Sequence, residues 1–293
     1  MKTRILAGLL LAMAAATAVT AATPFPKAVR AGPPRFDEHD VLADASAGPQ
    51  RSPANTARDR WRHPGESLTF WGLRPGDVIL EFDPGGGYWT EILAPFAKAT
   101  GGRYIGALAD LNDPKLSPQQ RDGRARFEAK FSDQAVWGKV ETTGFGRVSG
   151  PLAPPASVDF ILTARNIHNL MWGGILDKML ADSFAALKPG GVLAVEEHRS
   201  DPRPMQTDAR DGYVSEASVI AAAEKAGFRF DGKSEINANP KDSKDHPFGV
   251  WTLPPTRQSA PRGQAPDPKF DHTRYDAIGE SDCMTLRFRK VGA

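Results

Sequence analysis

A glycine-rich loop is the first group of residues in this 293-residue chain with the types and spacing that ligand binding requires. The loop, Asp83–Gly87, directly follows the apolar run Val78–Phe82 and precedes a predicted helix. Glycines let a backbone approach a bound molecule without a clash from Cβ atoms, and the start of a helix offers free N–H donors. A strand, a glycine-rich turn and a helix in this order are typical of a nucleotide-cofactor site. The structural alternative is a tight turn without a ligand.

A second polar group, residues 165–169, follows the predicted strand Val158–Thr163. Histidine is the side chain best suited to proton transfer near neutral pH, so His168 is a candidate general base toward a hydroxyl or amine nucleophile. Asn166 and Asn169 are candidates to orient a substrate, and Arg165 is the remaining charged member of the group. The structural alternative is a helix-cap cluster whose side chains satisfy the local backbone.

Two further groups supply candidate substrate contacts. Residues 196–199 end the next predicted strand, and residues 237–246 form a polar segment that could close over the site as a lid. The predicted substrate-binding residues are Asn169, His198, Asn239, Lys241, Asp242 and His246. Histidine spacing typical of a metal site is absent from the sequence, so no metal ligand is predicted.

The elements that must position these groups alternate between strand and helix. Seven strands are predicted, at residues 77–82, 103–107, 139–143, 158–163, 192–196, 228–236 and 284–290. Helices are predicted between them, including 88–98, 118–131, 174–187 and 215–226. This order predicts an α/β fold with a doubly wound, mostly parallel sheet. In such sheets ligands bind at the carboxyl ends of the strands where the winding reverses, which is where these polar groups fall.

The loop and its flanks carry a family resemblance. Glu81–Gly87 resembles motif I of the class I S-adenosylmethionine (SAM)-dependent methyltransferases, and the chain is more closely similar to a group of bacterial, often exported, predicted methyltransferases. The supporting segments are Glu81–Leu93, Thr163–Asn169, Leu187–Arg199, Lys233–Leu253 and Ala277–Phe288. The resemblance runs from about Arg60 to the C-terminus. It implies a Rossmann-like sheet of seven strands whose last strand is antiparallel, and SAM as the cofactor.

The resemblance also implies a cofactor site. Asp83 occupies the position of the first motif glycine, where a carboxylate disfavours phosphates, and hence NAD(P), but favours the positive sulfonium or amino group of SAM. Asp110 is the nearest acid after the second strand and is the candidate for binding the ribose. The predicted cofactor contacts are Glu81, Pro84, Gly85, Gly86, Gly87, Tyr88 and Asp110.

The leading hypothesis for function is transfer of a methyl group from SAM to a small molecule. Its predicted catalytic residues are His168, as the assisting base, with Asn166 and Arg165. One alternative is an exported, non-catalytic protein that retains the fold and binds a small molecule. Another is a hydrolase or lyase that uses His168, His198 and His246, with or without a metal.

The N-terminal residues predict that the protein is exported to the periplasm. Lys2 and Arg4 precede the apolar run Ile5–Val19 and the small residues that follow it, which is the pattern of a cleavable signal peptide over 1–22. Without those residues the chain has 35 basic and 35 acidic residues, a balance that argues against a nucleic-acid partner. Residues 23–59 are predicted as an extended lead-in, and 60–293 as the methyltransferase-like domain with a polar, Pro-rich excursion at 237–280. The single cysteine, Cys283, lies in an alternating strand pattern and is predicted to be buried and structural.

Overall fold

A computed structural model of the chain describes residues 38–204 and 209–292. The expected signal peptide therefore lies outside the described residues. The predicted fold class is confirmed: seven strands form one sheet in the order β3-β2-β1-β4-β5-β7-β6. The strands are β1 (Val78–Phe82), β2 (Arg103–Ala109), β3 (Val140–Phe145), β4 (Val158–Ala164), β5 (Leu187–His198), β6 (Phe228–Ser234) and β7 (Cys283–Lys290).

Helices precede the sheet and connect its strands. They are α1 (Glu38–Ala47), α2 (Pro53–Thr56), α3 (Asp59–Arg62), α4 (Pro64–Trp71), α5 (Thr90–Thr100), α6 (Pro118–Lys130), α7 (Gln134–Trp137), α8 (Ile167–Gly173), α9 (Leu176–Ala186), α10 (Glu216–Lys225) and α11 (Thr273–Ile278), with a 3₁₀ helix at Gly249–Thr252. Within residues 38–204 and 209–292, no helix combines the length and the apolar character needed to cross a bilayer.

The pairing of the strands places the reversal of the winding beside β1. Strand β1 pairs in parallel with β2 on one side and with β4 on the other, and β5 extends the parallel set beyond β4. Strand β7 runs antiparallel between β5 and β6, as the resemblance implies. Because the chain leaves β1 toward β2 and β3 but returns on the far side at β4, a crevice opens between the carboxyl ends of β1 and β4.

The side chains of the inner strands alternate between two apolar layers. In β1, Leu80 and Phe82 pack into one buried cluster with α8, α9 and α10, whereas Ile79 packs into the other with α4 and α5. Cys283 is fully buried at the start of β7, as predicted. Burial on both faces explains why the central strands β1, β4 and β5 contain short apolar runs, whereas the edge strands β3 and β6 carry polar side chains.

The expectation of an extended lead-in is wrong for its described part, because residues 38–59 contain α1, α2 and the start of α3. Leu42 and Ala45 of α1 are buried in the same apolar cluster as α5. Arg51 then holds the following turn, since its guanidinium donates to the carbonyl of Ser46 and to the carboxylate of Asp59. Packing against the domain stabilises helices whose few apolar residues make a weak pattern in the sequence.

Two other segments differ from the predicted elements. Strand β5 begins at Leu187 rather than at residue 192, because the Pro189-Gly190-Gly191 segment continues the strand, with an irregular register opposite β4. The long loop predicted at 237–280 contains α11 and the 3₁₀ helix. Helix α10 begins where predicted, and the side chain of Ser215 caps it by accepting a hydrogen bond from the N–H of Ser218.

Candidate functional site

A cavity of about 920 Å³ lies at the carboxyl edge of the sheet, over the crevice beside β1. Its wall is formed by the glycine loop, by the segments that follow β2 and β3, by one face of α6 and by the start of α8. A volume of this size is ample for a nucleotide cofactor together with a small substrate. The sheet edge that the sequence marks as functional therefore carries an open cavity.

Part of the glycine loop and Asp110 line this cavity, and their roles in binding a cofactor stay predictions. Gly85 and Gly86 line the cavity, and a Cβ on Gly86 would have no heavy atom within 4 Å. Asp83 and Gly85 have positive φ angles, of 44° and 54°, which turn the chain sharply after β1. Asp110 follows β2 and lines the cavity, where one of its oxygens accepts a hydrogen bond from the N–H of Asn112. The loop thus exposes backbone on one side of the cavity and carboxylates beside it.

Glu81 lies in the core rather than in the cavity. One of its oxygens accepts hydrogen bonds from the hydroxyls of Tyr104, at 2.6 Å, and Thr90, at 2.8 Å. Alternation along β1 explains this position, since Phe82 reaches the cavity and its neighbour must face the opposite layer. Burial raises the pKa of Glu81 to about 7, although the hydrogen bonds from Tyr104 and Thr90 oppose that shift. The carboxyl group therefore titrates near neutrality inside the core.

Pro84, Gly87 and Tyr88, three other predicted cofactor contacts, also lie outside the cavity lining. A Cβ on Gly87 would lie only 2.3 Å from Cζ of Phe131, so this glycine admits the aromatic ring that follows α6. The hydroxyl of Tyr88 donates to Asp59 at 2.7 Å, and the guanidinium of Arg62 lies 4.5 Å from the centre of its ring. These residues connect the loop to its neighbouring helices.

The polar group after β4 divides between the two sides of α8. Asn166 and Asn169 line the cavity and are joined by a hydrogen bond of 3.3 Å. Arg165 has a positive φ of 56° and turns away from the cavity, and His168 also lies outside the cavity lining. Residues three apart on a helix share a face whereas their neighbours do not, which explains why adjacent residues of the sequence reach different environments.

Arg165 belongs to a buried ion network. It donates to Glu196 of β5 at 2.9 Å and also bonds the carboxylate of Glu280. Arg58 and Arg62 donate to the same carboxylate, at 2.6 and 2.9 Å. Burial opposes the ionisation of Glu280, but the arginines outweigh it and lower its pKa to about 2. The network joins the N-terminal helices, the ends of β4 and β5, and the segment that leads into β7.

His168 is buried in a second cluster. Its Nδ1 lies 2.9 Å from one carboxylate oxygen of Glu197, whose other oxygen accepts the backbone N–H of His168 at 3.2 Å. The ring of His198 lies 5.2 Å from that of His168, and its Nδ1 contacts the hydroxyl of Ser281. His198 is partly exposed, yet the surrounding protein and the nearby groups His168 and Arg165 hold its pKa well below its usual range.

The polar loop at 237–246 packs onto the start of β7 instead of lining the cavity. Asn239 donates to the carbonyls of Ile278 and Glu280, and Asp242 lies 2.7 Å from Nε2 of His246. Lys241 is exposed. Five of the predicted substrate-binding residues lie outside the cavity lining: His198, Asn239, Lys241, Asp242 and His246. Their roles in binding a substrate stay predictions.

Several cavity residues were not identified from the sequence. They are Phe82, Phe145, Arg124, Lys130 and Arg147. The position of Arg147 just after β3 is a usable signal, because the ends of parallel strands share one edge. Arg124 and Lys130 lie on a polar helix without a marked apolar face, and they donate to the carbonyls of Ala109 and Gly86. Only the packing of α6 beside the loop brings them to the site.

The buried carboxyl group of Glu81 should make the stability of the protein depend on pH. Its folded pKa of about 7 exceeds its usual value of 4.5, so its contribution to stability is fully present below about pH 4.5 and is lost as the pH rises through 7. The loss is about 3 kcal/mol in the free energy of unfolding. The Glu81→Gln variant cannot ionise and should not show this loss. Urea unfolding at acidic and mildly alkaline pH measures it; an identical pH dependence in both proteins would contradict the assignment.

The close packing of Gly87 against Phe131 should make this position intolerant of a side chain. The Gly87→Ala variant should lower the free energy of unfolding by about 2–4 kcal/mol, because it combines a positive φ with a clash against Phe131. Gly86→Ala is the matched control, since its Cβ meets open space, and it should change stability by less than about 0.5 kcal/mol. Urea denaturation of both variants measures the difference. Equal stability of the two would show that the loop does not depend on the contact with Phe131.

Comparisons with known proteins agree with this architecture, although no protein-family model matches the chain. The chain is 27% identical over 165 residues to the ubiquinone/menaquinone biosynthesis C-methyltransferase UbiE of Hydrogenovibrio crunogenus, a match that covers 54% of this chain and 58% of that enzyme. The chain therefore spans less than two thirds of the length of this curated relative.

Solved structures are similar over most of the chain. A SAM-dependent methyltransferase from Aquifex aeolicus has a TM-score of 0.50 at 17% identity and covers 88% of this chain and 100% of its own. The [4+2]-cyclase SpnF has a TM-score of 0.53 at 16% identity and covers 87% and 94%. The chain therefore has the Rossmann-like α/β fold of the class I SAM-dependent methyltransferases.

Proposed function

We propose that this protein transfers a methyl group from SAM to a small molecule. The observation that carries the proposal is the single cavity wall in which Gly85, Gly86 and Asp110 face Asn166 and Asn169 across the reversal of the sheet. This arrangement would place a cofactor surface and a polar substrate surface in one cavity. The similarity to UbiE supports the class of reaction.

The residues present fit SAM. Gly86 has open space where a side chain would project, so the backbone of the loop is accessible to the cofactor. Asp110 would accept hydrogen bonds from ribose hydroxyls, and Asp83 would attract the positively charged groups of SAM. When bound, SAM supplies an electrophilic methyl group on a sulfonium. The same carboxylates would repel the pyrophosphate of NAD(P).

The residues of the chain would contribute mainly by holding the substrate and the cofactor in position. Asn166 and Asn169 have amide groups that can donate to or accept from a substrate, and both lie beside the cofactor surface. Phe82 and Phe145 pack edge to face with ring centres 4.6 Å apart and give part of the cavity wall an apolar surface. Holding two reactants in line supplies much of the rate of such a transfer. The roles of His168 and Arg165 in catalysis stay predictions.

The similarity to SpnF determines which measurements are needed. A [4+2]-cyclase with this fold means that the fold alone does not establish methyl transfer. Binding of SAM and formation of S-adenosylhomocysteine must therefore be measured separately.

The binding test uses the cavity wall. Calorimetric titration of the purified protein should show SAM binding and no NAD binding, and Gly86→Val should abolish SAM binding because its side chain projects into the cavity without straining the backbone. Gly65→Val is the matched control, since Gly65 also has open space around it but lies in α4, away from the cavity. SAM affinity that survives in Gly86→Val would contradict the assigned cofactor site.

The transfer test separates catalysis from binding. The protein is incubated with SAM labelled on the methyl group and a library of small metabolites, and S-adenosylhomocysteine is quantified. With an accepted substrate, Asn169→Ala should lower the rate by about 10-fold or more while the affinity for SAM stays unchanged, because the residue faces the substrate side. Folded protein that binds SAM but forms no S-adenosylhomocysteine with any metabolite would refute this function and leave ligand binding alone.

A further inference from the structure

The cluster of His168, Glu197 and His198 is not explained by the cavity. Each of the three offers a ligand atom, and these atoms all lie within 4.8 Å of one another. They come from the first turn of α8 and the end of β5, on the side of α8 that faces away from Asn166 and Asn169. We propose that these three residues form a binding site for one divalent transition-metal ion.

The negative charge of Glu197 favours a cation at this position. Its side chain is fully buried, and within residues 38–204 and 209–292 it forms no ion pair with a lysine or arginine. Its neighbour Glu196, on the opposite face of β5, is paired with Arg165. Glu197 also accepts the backbone N–H of His198 at 2.8 Å, and a buried carboxylate that stays ionised is stabilised by a compensating cation. Near Glu197 that cation is either a protonated His168 or a metal ion.

The donor set is the second argument. Two imidazoles and one carboxylate form a combination that binds Zn²⁺ and related first-row ions. His168 Nδ1 and the nearer oxygen of Glu197 are 2.9 Å apart, close to the spacing of about 3.0–3.4 Å between two ligand atoms on one such ion. A small displacement therefore replaces the shared proton with a metal. The ligand atom of His198 lies within 4.8 Å of those of His168 and Glu197, so the third donor is already close to the same point.

The surroundings are those of an enclosed site. The ring of Trp251 lies 5.8 Å from His168, and the ring of Tyr213 lies 6.5 Å from His198. Cys283 is not in the group, although its Sγ lies 3.8 Å from Nδ1 of His198. Three protein ligands leave a coordination position open to water or to an oxygen atom of a small molecule. The inference does not depend on methyl transfer, since none of the three residues lines the cavity.

The sequence pattern did not reveal this set. The histidines considered there included His246, which instead lies 2.7 Å from Asp242 in the loop at 237–246. Glu197 is the residue that completes the group, and the adjacent acid Glu196 has an indistinguishable sequence context. Alternation along β5 sends one acid to the arginines and the other to the histidines.

The experiment measures metal directly. The full chain is purified without an affinity tag, stripped with a chelator and titrated with Zn²⁺ against a chromophoric competitor. We expect one tightly bound Zn²⁺ per chain. Loading with Co²⁺ should give d–d absorption bands without a thiolate charge-transfer band, because the ligands are nitrogen and oxygen. Absence of stoichiometric Zn²⁺ binding would overturn the proposal in favour of a hydrogen-bonded His168–Glu197 ion pair, and a thiolate band would overturn the donor set.

Variants assign the ligands. Glu197→Gln, His168→Ala and His198→Ala should each weaken Zn²⁺ binding by about 100-fold or more. His246→Gln is the matched control, since it alters another buried histidine beside a carboxylate and should retain wild-type affinity. Circular dichroism establishes that each variant is folded, and the cobalt spectrum of the unaltered protein tests the site without any substitution. Equal losses in the control would refute the assignment.

Discussion

The carboxylate of Glu280 is the charge on which the arrangement of the site depends. Arg58, Arg62 and Arg165 all donate to it, and Arg165 also reaches Glu196. Three arginines around one carboxylate hold its pKa near 2 in spite of its burial. Removing it would leave the buried guanidinium of Arg62 without a carboxylate partner, at a cost of about 3–5 kcal/mol. The N-terminal helices, the ends of β4 and β5, and the approach to β7 therefore meet at a fixed point.

The ion network around Glu280 also orients α8, whose two sides face different groups of residues. Arg165 leaves β4 in a left-handed conformation and is held by its acids, which turns Asn166 and Asn169 toward the cavity. His168 then faces β5, where the carboxylate of Glu197 hydrogen-bonds to its ring Nδ1 and accepts a hydrogen bond from its backbone N–H. One short helix thus presents neutral amides to the proposed cofactor cavity and imidazole to the proposed metal site.

The physical reasons for the successful and failed predictions differ. The inner strands were predictable because they contain apolar runs bounded by glycine, proline or polar residues. The more polar edge strands, β3 and β6, were predictable only from their place in the alternation of strands and helices. The helices at residues 38–59 were missed because α1 buries little more than Leu42 and Ala45, and its stability comes from packing on α5. Export remains a prediction from the N-terminal residues, which lie outside the described part of the chain.

The sequence by itself determined the fold class, the glycine loop and the sheet edge at which Gly85, Gly86, Asp110 and Asn166 line a cavity. Those features follow from local patterns, because the carboxyl ends of parallel strands always share one edge. Tertiary structure decided which neighbouring side chains reach the cavity. The turn at Arg165, the alternation of β1 and β5 and the pairing of each buried carboxylate assign adjacent residues to opposite faces, and those assignments depend on contacts between segments far apart in the chain.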